Sequence, residues 1–265
     1  GKIAEQIGLL AMKHGWNSYI AYGRMMNPSK IRLIKIGNQF DVYLHYLMSR
    51  LFDVEGLMSR RATRKLVRDI ERIKPDVIHL HNIHDHYLNY PILFSYLEKA
   101  EIPVVWTFHD CWAFTGHCAH FVTVGCEKWK TECGNCPLKG KTLADGSKKN
   151  FGLKKQWFSA VKNLHIVPVS EWLAGLVEQS FFKGGDIRVI KNGVDLNVFK
   201  PVEVKKKDKY RVLGVSSVWS KSKGLYDIYK LRELLDIERY EIVLVGLLKE
   251  QISALPAGIT GIERT

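Results

Sequence analysis

Residues 104–110 read VVWTFHD, and residues 76–82 read DVIHLHN. Each is a short apolar run that ends abruptly in polar residues. Pro75 precedes one run, and Pro103 precedes the other. A run of about five β-branched and aromatic residues with no polar alternation predicts a strand buried on both faces, as in a parallel sheet. Working outward, the pattern repeats. Strands are expected at 18–22, 165–169, 187–190, 211–215, 241–245 and near Ile259. Helical spacing is expected at 3–11, 40–52, 56–73, 91–99, 153–161, 172–179, 225–235 and near Glu250. Strands alternating with helices imply right-handed βαβ units, so the fold class is α/β with parallel sheets covered on both faces.

The chain has 265 residues, 46% hydrophobic and 25% charged, with 40 Lys plus Arg against 27 Asp plus Glu, a formal charge of +13. Such a composition excludes a disordered or fibrous chain. No apolar run reaches the roughly 18–20 residues of a membrane span. The opening GKIAEQIGLL carries no recognisable leader, so none is expected. The charge points to an anionic partner. The lysine cluster at 205–209 is the expected domain boundary, giving an N-terminal Rossmann-like domain over 1–200, with a Cys-rich insert at 111–150, and a second domain over 201–265. About 60 residues are fewer than a Rossmann-type half needs, so the second domain is expected to be incomplete.

Ligands of open parallel sheets bind beyond the carboxyl ends of the strands. There the sequence delivers His81 and Asn82, His109 and Asp110, Ser170, then Asn192, Gly193 and Asp195, then Ser216 and Ser217, and finally Gly246. Loops are polar in any case, which accounts for part of this. His109 is the sharpest of them, an imidazole set directly behind a buried strand; the plainer reading is a packed histidine. Seven of the ten histidines lie between His79 and His120, so none counts by mere presence. His79 is expected to face the sheet interior, while His81, His84 and His86 have a spacing that suits a metal but, with no partnering carboxylate motif, read as solvated loop residues. Lys223 and Gly224 open a helix, a ready site for an anion.

All five cysteines fall between Cys111 and Cys136. Cys118, Cys126, Cys133 and Cys136 are separated by seven, six and two residues, and only the last pair has knuckle spacing. Four thiolates suit a structural zinc; free or reversibly oxidised thiols are the alternative. A catalytic cysteine is not expected. In the helix ending at Ile73, Arg61, Arg64, Lys65, Arg68 and Arg72 flank an apolar stripe of Ala62, Leu66, Ile70 and Ile73. This is a solvated face or a surface for anionic lipid headgroups. Nucleic acid is not expected, since no recognition-helix or aromatic single-strand pattern accompanies the charge.

The blocks DVIHLHN (76–82), VVWTFHDCWAFTGHC (104–118), IVPVSEWL (166–173), IRVIKNGVD (187–195) with Phe199 and Pro201, KGL (223–225) and IVLVGL (242–247) resemble bacterial glycosyltransferase family 4. The likeness spans essentially the whole chain; the TFHDCW to FTGHC block and the NGVD block are its specific parts. The Cys-rich insert is similar to that of enzymes of capsule, exopolysaccharide or lipopolysaccharide synthesis. The resemblance implies a GT-B fold and retaining transfer of a hexosyl group from a nucleoside diphosphate sugar to a sugar or lipid-linked acceptor, with no cofactor required for catalysis. It implies that His109 lines the transferred sugar as the catalytic-site histidine and that Lys223 and Gly224 hold the donor diphosphate. Gly1 would be the last glycine of a donor-phosphate loop, with Ser217 and Gly246 also on the donor side. His81, Asn82, Asp110 and Ser170 would line the acceptor-side cleft, and Asn192, Gly193 and Asp195 the interdomain crossover. A cytoplasmic protein at the inner face of the cell membrane is expected. Ser217 stands where the family usually has Arg, and the first strand and the late glutamate motif have no counterpart. The chain is therefore expected to be either a fragment of a longer protein or a truncated product, inactive alone. The alternative function is non-enzymatic: a basic, zinc-stabilised module binding an anionic polymer or membrane surface.

Overall fold

A computed structural model describes residues 1–139, 142–202 and 208–264. Of the lysine cluster taken as a boundary, residues 205–207 lie outside the described residues. The chain forms two compact units, Gly1–Val194 and Asp195–Thr265. The division follows Val194, where the sequence reading put it after residue 200.

The first unit opens with α1 (Lys2–Lys13), then the parallel pair β1 (Tyr19–Tyr22) and β2 (Arg32–Lys35), then α2 (Gln39–Phe52) and α3 (Arg60–Ile73). Asn38 caps α2: its Oδ1 accepts the Asp41 amide at 2.9 Å, while Asp41 Oδ2 accepts the Asn38 amide at 3.0 Å. α3 starts at Arg60 and not at Gly56. Gly56 (φ 76°) and Ser59 (φ 54°) are left-handed, so the chain turns before it coils.

The main sheet is built from β3 (Ile78–Leu80), β4 (Val104–Phe108), β5 (Leu164–Pro168) and β6 (Asp186–Ile187), parallel and adjacent in chain order. The helices α4 (Tyr90–Leu97), α5 (Ser147–Phe158) and α6 (Glu171–Val177) connect them. Asn89 caps α4 and Pro91 sits in its first turn, where a missing N–H costs nothing. β4 is central and carries the aromatic core: the Trp106 ring lies 4.9 Å from Phe158 and 4.9 Å from Phe108, and Phe158 lies 4.4 Å from Phe94. β6 is shorter than expected, yet the Arg188 and Ile190 amides still bond to Ile166 and Pro168 of β5.

The second unit holds β7 (Tyr210–Val215), α7 (Leu225–Leu234), β8 (Tyr240–Leu247), α8 (Lys249–Ser253) and β9 (Ile259–Glu263), the strands parallel in the order β7-β8-β9. Trp219, Leu225, Ile242, Leu244, Leu247 and Ile259 form its core. Two parallel α/β units in one chain are the architecture that the GT-B expectation calls for. Among the described residues no helix is long and apolar enough to cross a membrane.

Candidate active site

Parallel pairing sets Leu80, the last residue of β3, opposite Trp106, and β4 runs on two residues further to Phe108. His81 and His109 follow these ends, and His81 Nδ1 meets His109 Nε2 at 3.2 Å with the rings 21° apart. Trp106 Nε1 donates to the His81 carbonyl at 3.1 Å and fixes the β3 end. Burial, then the neighbouring rings of His79 and His109, pushes His81 down to about 3. Burial also lowers His109, against the pull of Asp110. The pair is therefore neutral at neutral pH. Neutral imidazoles, each with one ring nitrogen left over, suit hydroxyl groups better than phosphates. Gly1 is exposed and stands at the amino end of α1.

Beside the neutral pair stands a charged one. His84 Nε2 lies 3.1 Å from Asp110 Oδ2, and Asp110 Oδ1 accepts the Trp112 amide at 2.9 Å. Glu55 and Asp85 each approach His84 Nδ1 at 3.9 Å. Burial alone would lower His84, but hydrogen bonds to Asp110 and Asp85 and the Glu55 charge raise it to about 9. Burial would raise Asp110; the bonds from His84 and Trp112 outweigh it and hold it low. His81, Asn82, His84, His109, Asp110 and Trp112 share one depression at the strand ends.

Two readings of this region need correction. His84 is no solvated loop residue: carboxylates from three separate places enclose it. His86 Nδ1 is buried, and its ring packs on His45 and Tyr46. His79 does not face the interior; it is exposed on the sheet face, stacked 4.3 Å from His81 and bonded through Nε2 to Thr107 Oγ1 at 2.8 Å.

The other expected site residues are distributed as follows. Asn82 is exposed and its carbonyl accepts Tyr87 Oη at 2.7 Å. The Ser170 hydroxyl caps α6, accepting the Leu173 amide at 3.2 Å. Asn192 and Gly193 close the first unit. Asp195 opens the second, and its Oδ1 accepts the Asn197 amide at 2.9 Å. In the second unit Lys223 is exposed in a 3₁₀ turn, Lys221–Lys223, and left-handed Gly224 (φ 77°) leads into α7. Ser217 is exposed beyond β7. Gly246 has φ 94°, and a Cβ there would sit 1.8 Å from the Ser216 carbonyl oxygen, so the fold itself requires glycine.

Cys118, Cys126, Cys133 and Cys136 line one cavity, while Cys111 is buried in the core. Burial pushes Cys111 up to about 12 and Cys118 up to about 11, and also raises Cys133 and Cys136. Such thiols are poor nucleophiles. The sequence reading missed Lys154, fully buried on α5. Its signal was present, since Phe151, Lys154 and Phe158 share one helical stripe with an out-of-place cation.

The profile of the family described as Glycosyltransferase Family 4 matches residues 36–198. The Escherichia coli (strain K12) protein named "Putative colanic acid biosynthesis glycosyl transferase WcaC" is 33% identical over 214 residues, 73% of this chain and 51% of that protein. The chain thus spans about half the length of this curated relative. The crystal structure of Acinetobacter baumannii MurG aligns with 98% of this chain and 61% of that one, at 11% identity and a TM-score of 0.43.

Proposed function

Because this chain belongs to glycosyltransferase family 4, we propose that it serves retaining transfer of a hexosyl group from a nucleoside diphosphate sugar to a sugar or lipid-linked acceptor. The relative named for colanic acid biosynthesis suggests a surface polysaccharide as the product. The observation that carries the reading is the His81–His109 pair at the ends of β3 and β4. Held neutral, it hydrogen-bonds sugar hydroxyls without attracting phosphate. The Asp110–His84 ion pair beside it keeps the adjoining loop in place.

Leaving-group stabilisation is assigned to the second unit. Lys223 and the amino end of α7 would neutralise the departing diphosphate, the electrostatic kind of assistance that usually dominates such sites. Ser170 and Asn82 line the acceptor side in this reading, and a catalytic metal has no step to perform. The family membership favours a transferase over a purely binding module. Arg61, Arg64 and Arg68 are exposed on α3, which supports action at the inner face of an anionic membrane. Retention on anionic vesicles at low salt and release at high salt is the corresponding measurement.

The test of the transferase reading is His109→Ala placed in the complete protein. Transfer should fall at least a hundredfold while the unfolding midpoint stays unchanged. Near-normal turnover would remove His109 from the site. A nucleoside diphosphate should also raise the melting temperature of the chain at sub-millimolar concentration, by mass action on the folded state.

A further inference from the structure

The insert between β4 and α5 turns one wall inward, and His117, Cys118, Cys126, Cys133 and Cys136 all line the cavity behind it. Cys118 lies close enough to Cys133 and Cys136 for their charges to interact, and so does Cys126. Trp129 and Phe121, stacked 4.8 Å apart, brace the loop, and Trp129 Nε1 donates to the Cys126 carbonyl at 2.9 Å.

Three observations say what the cavity is shaped for. The Cys133-Gly-Asn-Cys136 segment is a tight knuckle, with Gly134 at φ 155° and Asn135 at φ 45°. Its sulfurs already accept backbone N–H groups, Cys133 from Gly116 at 3.3 Å and Cys136 from Leu138 at 3.4 Å. Backbone N–H groups turned toward both sulfurs of a Cys-x-x-Cys turn are the geometry of a metal knuckle.

His117 supplies the second observation. Its Nδ1 donates to Asp53 Oδ2 at 2.7 Å, which leaves Nε2 buried and without a partner among the described residues, on a side chain only 9% exposed. A buried polar atom without a partner calls for an explanation, and this one belongs to a residue that lines the cysteine cavity. The third is Lys154. Its Nζ is buried against neutral partners, the Trp112 carbonyl at 2.7 Å, the Thr115 carbonyl at 3.1 Å and the Trp112 ring at 3.5 Å. Burial lowers Lys154 to about 7, so it keeps its charge only where a counter-charge offsets the burial. A dication held by four thiolates carries a net negative charge and supplies one.

Asp53, His117 and Asp145 have ligand atoms within 4.8 Å of one another. Both carboxylates are already engaged. Asp53 Oδ2 also accepts the Gly146 amide at 2.8 Å, and Asp145 accepts the amides of Cys136 at 2.8 Å and Ser147 at 3.0 Å. They tie the knuckle to His117 and do not serve as ligands. Among the described residues no other three ligand atoms are that close, so a zinc site here requires the cysteine sulfurs to move together on loading.

We propose that this cavity is a structural zinc site whose ligands are Cys118, Cys126, Cys133 and Cys136, framed by His117 and Asp53 and balanced by Lys154. The chain, purified without chelator, should carry about one zinc. Cobalt(II) in its place should give sulfur-to-metal charge-transfer absorption in the near ultraviolet. Cys133→Ser with Cys136→Ser should lose both signals, and Cys111→Ser should keep them. As a check independent of variant folding, stripping the wild-type chain with chelator should lower Tm by several degrees, and added zinc should restore it. No bound metal, disulfides among these cysteines, metal kept by the double variant, or an unchanged Tm after stripping would each overturn the proposal.

Discussion

Two residues separate His81 from His84, and burial acts on both, yet they titrate in opposite directions. His81, buried with the imidazoles of His79 and His109 beside it, falls to about 3. His84 has carboxylates, which overcome burial and lift it to about 9. A group raised in the folded state holds its proton more tightly there. Its stabilisation is full below the unfolded value of about 6.5 and is lost as pH rises through about 9. The urea stability of wild type minus that of His84→Gln should therefore shrink between these limits, a difference that cancels other groups titrating in the same window. A constant difference would remove His84 from the ion pair. Asp110→Asn should cost roughly 1–3 kcal/mol at neutral pH, the range for a hydrogen bond to a charged group. The sequence made the places of His81 and His109 legible, because a buried run that ends in a polar residue marks a strand end. It could not show His84's partners: Asp110 lies 26 residues away, and Glu55 arrives from a different connection.

At the scale of elements, β4 and β8 were legible as uninterrupted apolar runs. β2 was not, since RLIK offers only two apolar residues in four. α5 begins at Ser147 and not at Leu153, because Ser147, Asn150 and Lys154 face inward, and a stripe of polar residues does not register as amphipathic. Glycines show a related limit. Gly193 and Gly246 were both read as site residues, yet their surroundings differ. A Cβ on Gly193 meets nothing within 4 Å, whereas on Gly246 it strikes the Ser216 backbone just past β7, at the point where the register of β8 against β9 shifts. No rotamer relieves a backbone collision. Gly246→Ala should cost on the order of 3 kcal/mol, and Gly193→Ala should stay within about 0.5 kcal/mol. Equal costs in chemical denaturation would show that β8 relaxes there.

The whole molecule divides where the chain is least held. The sequence reading placed the division at the lysine cluster because charge is visible in a sequence, but compactness depends on contacts that are not. From Arg188 to Lys200 no helix or strand forms, and Lys191 and Lys200 are both exposed. Proteases cut at exposed backbone outside regular structure, so brief trypsin treatment should cleave after Lys191, which Asn192 follows, and leave the first unit as the resistant product; Pro201 protects the bond after Lys200. The two cores are separate: one gathers round Trp106 and Phe158, and the other is the small group round Leu244. Separate cores predict separate cooperativity. Leu244 is fully buried in the smaller core, so Leu244→Ala should cost about 2–5 kcal/mol there. The second unit, with less apolar area buried, should melt first. In calorimetry the variant should move the lower transition down and leave the upper one in place. A single transition that shifts as a whole would mean that the two units unfold as one body.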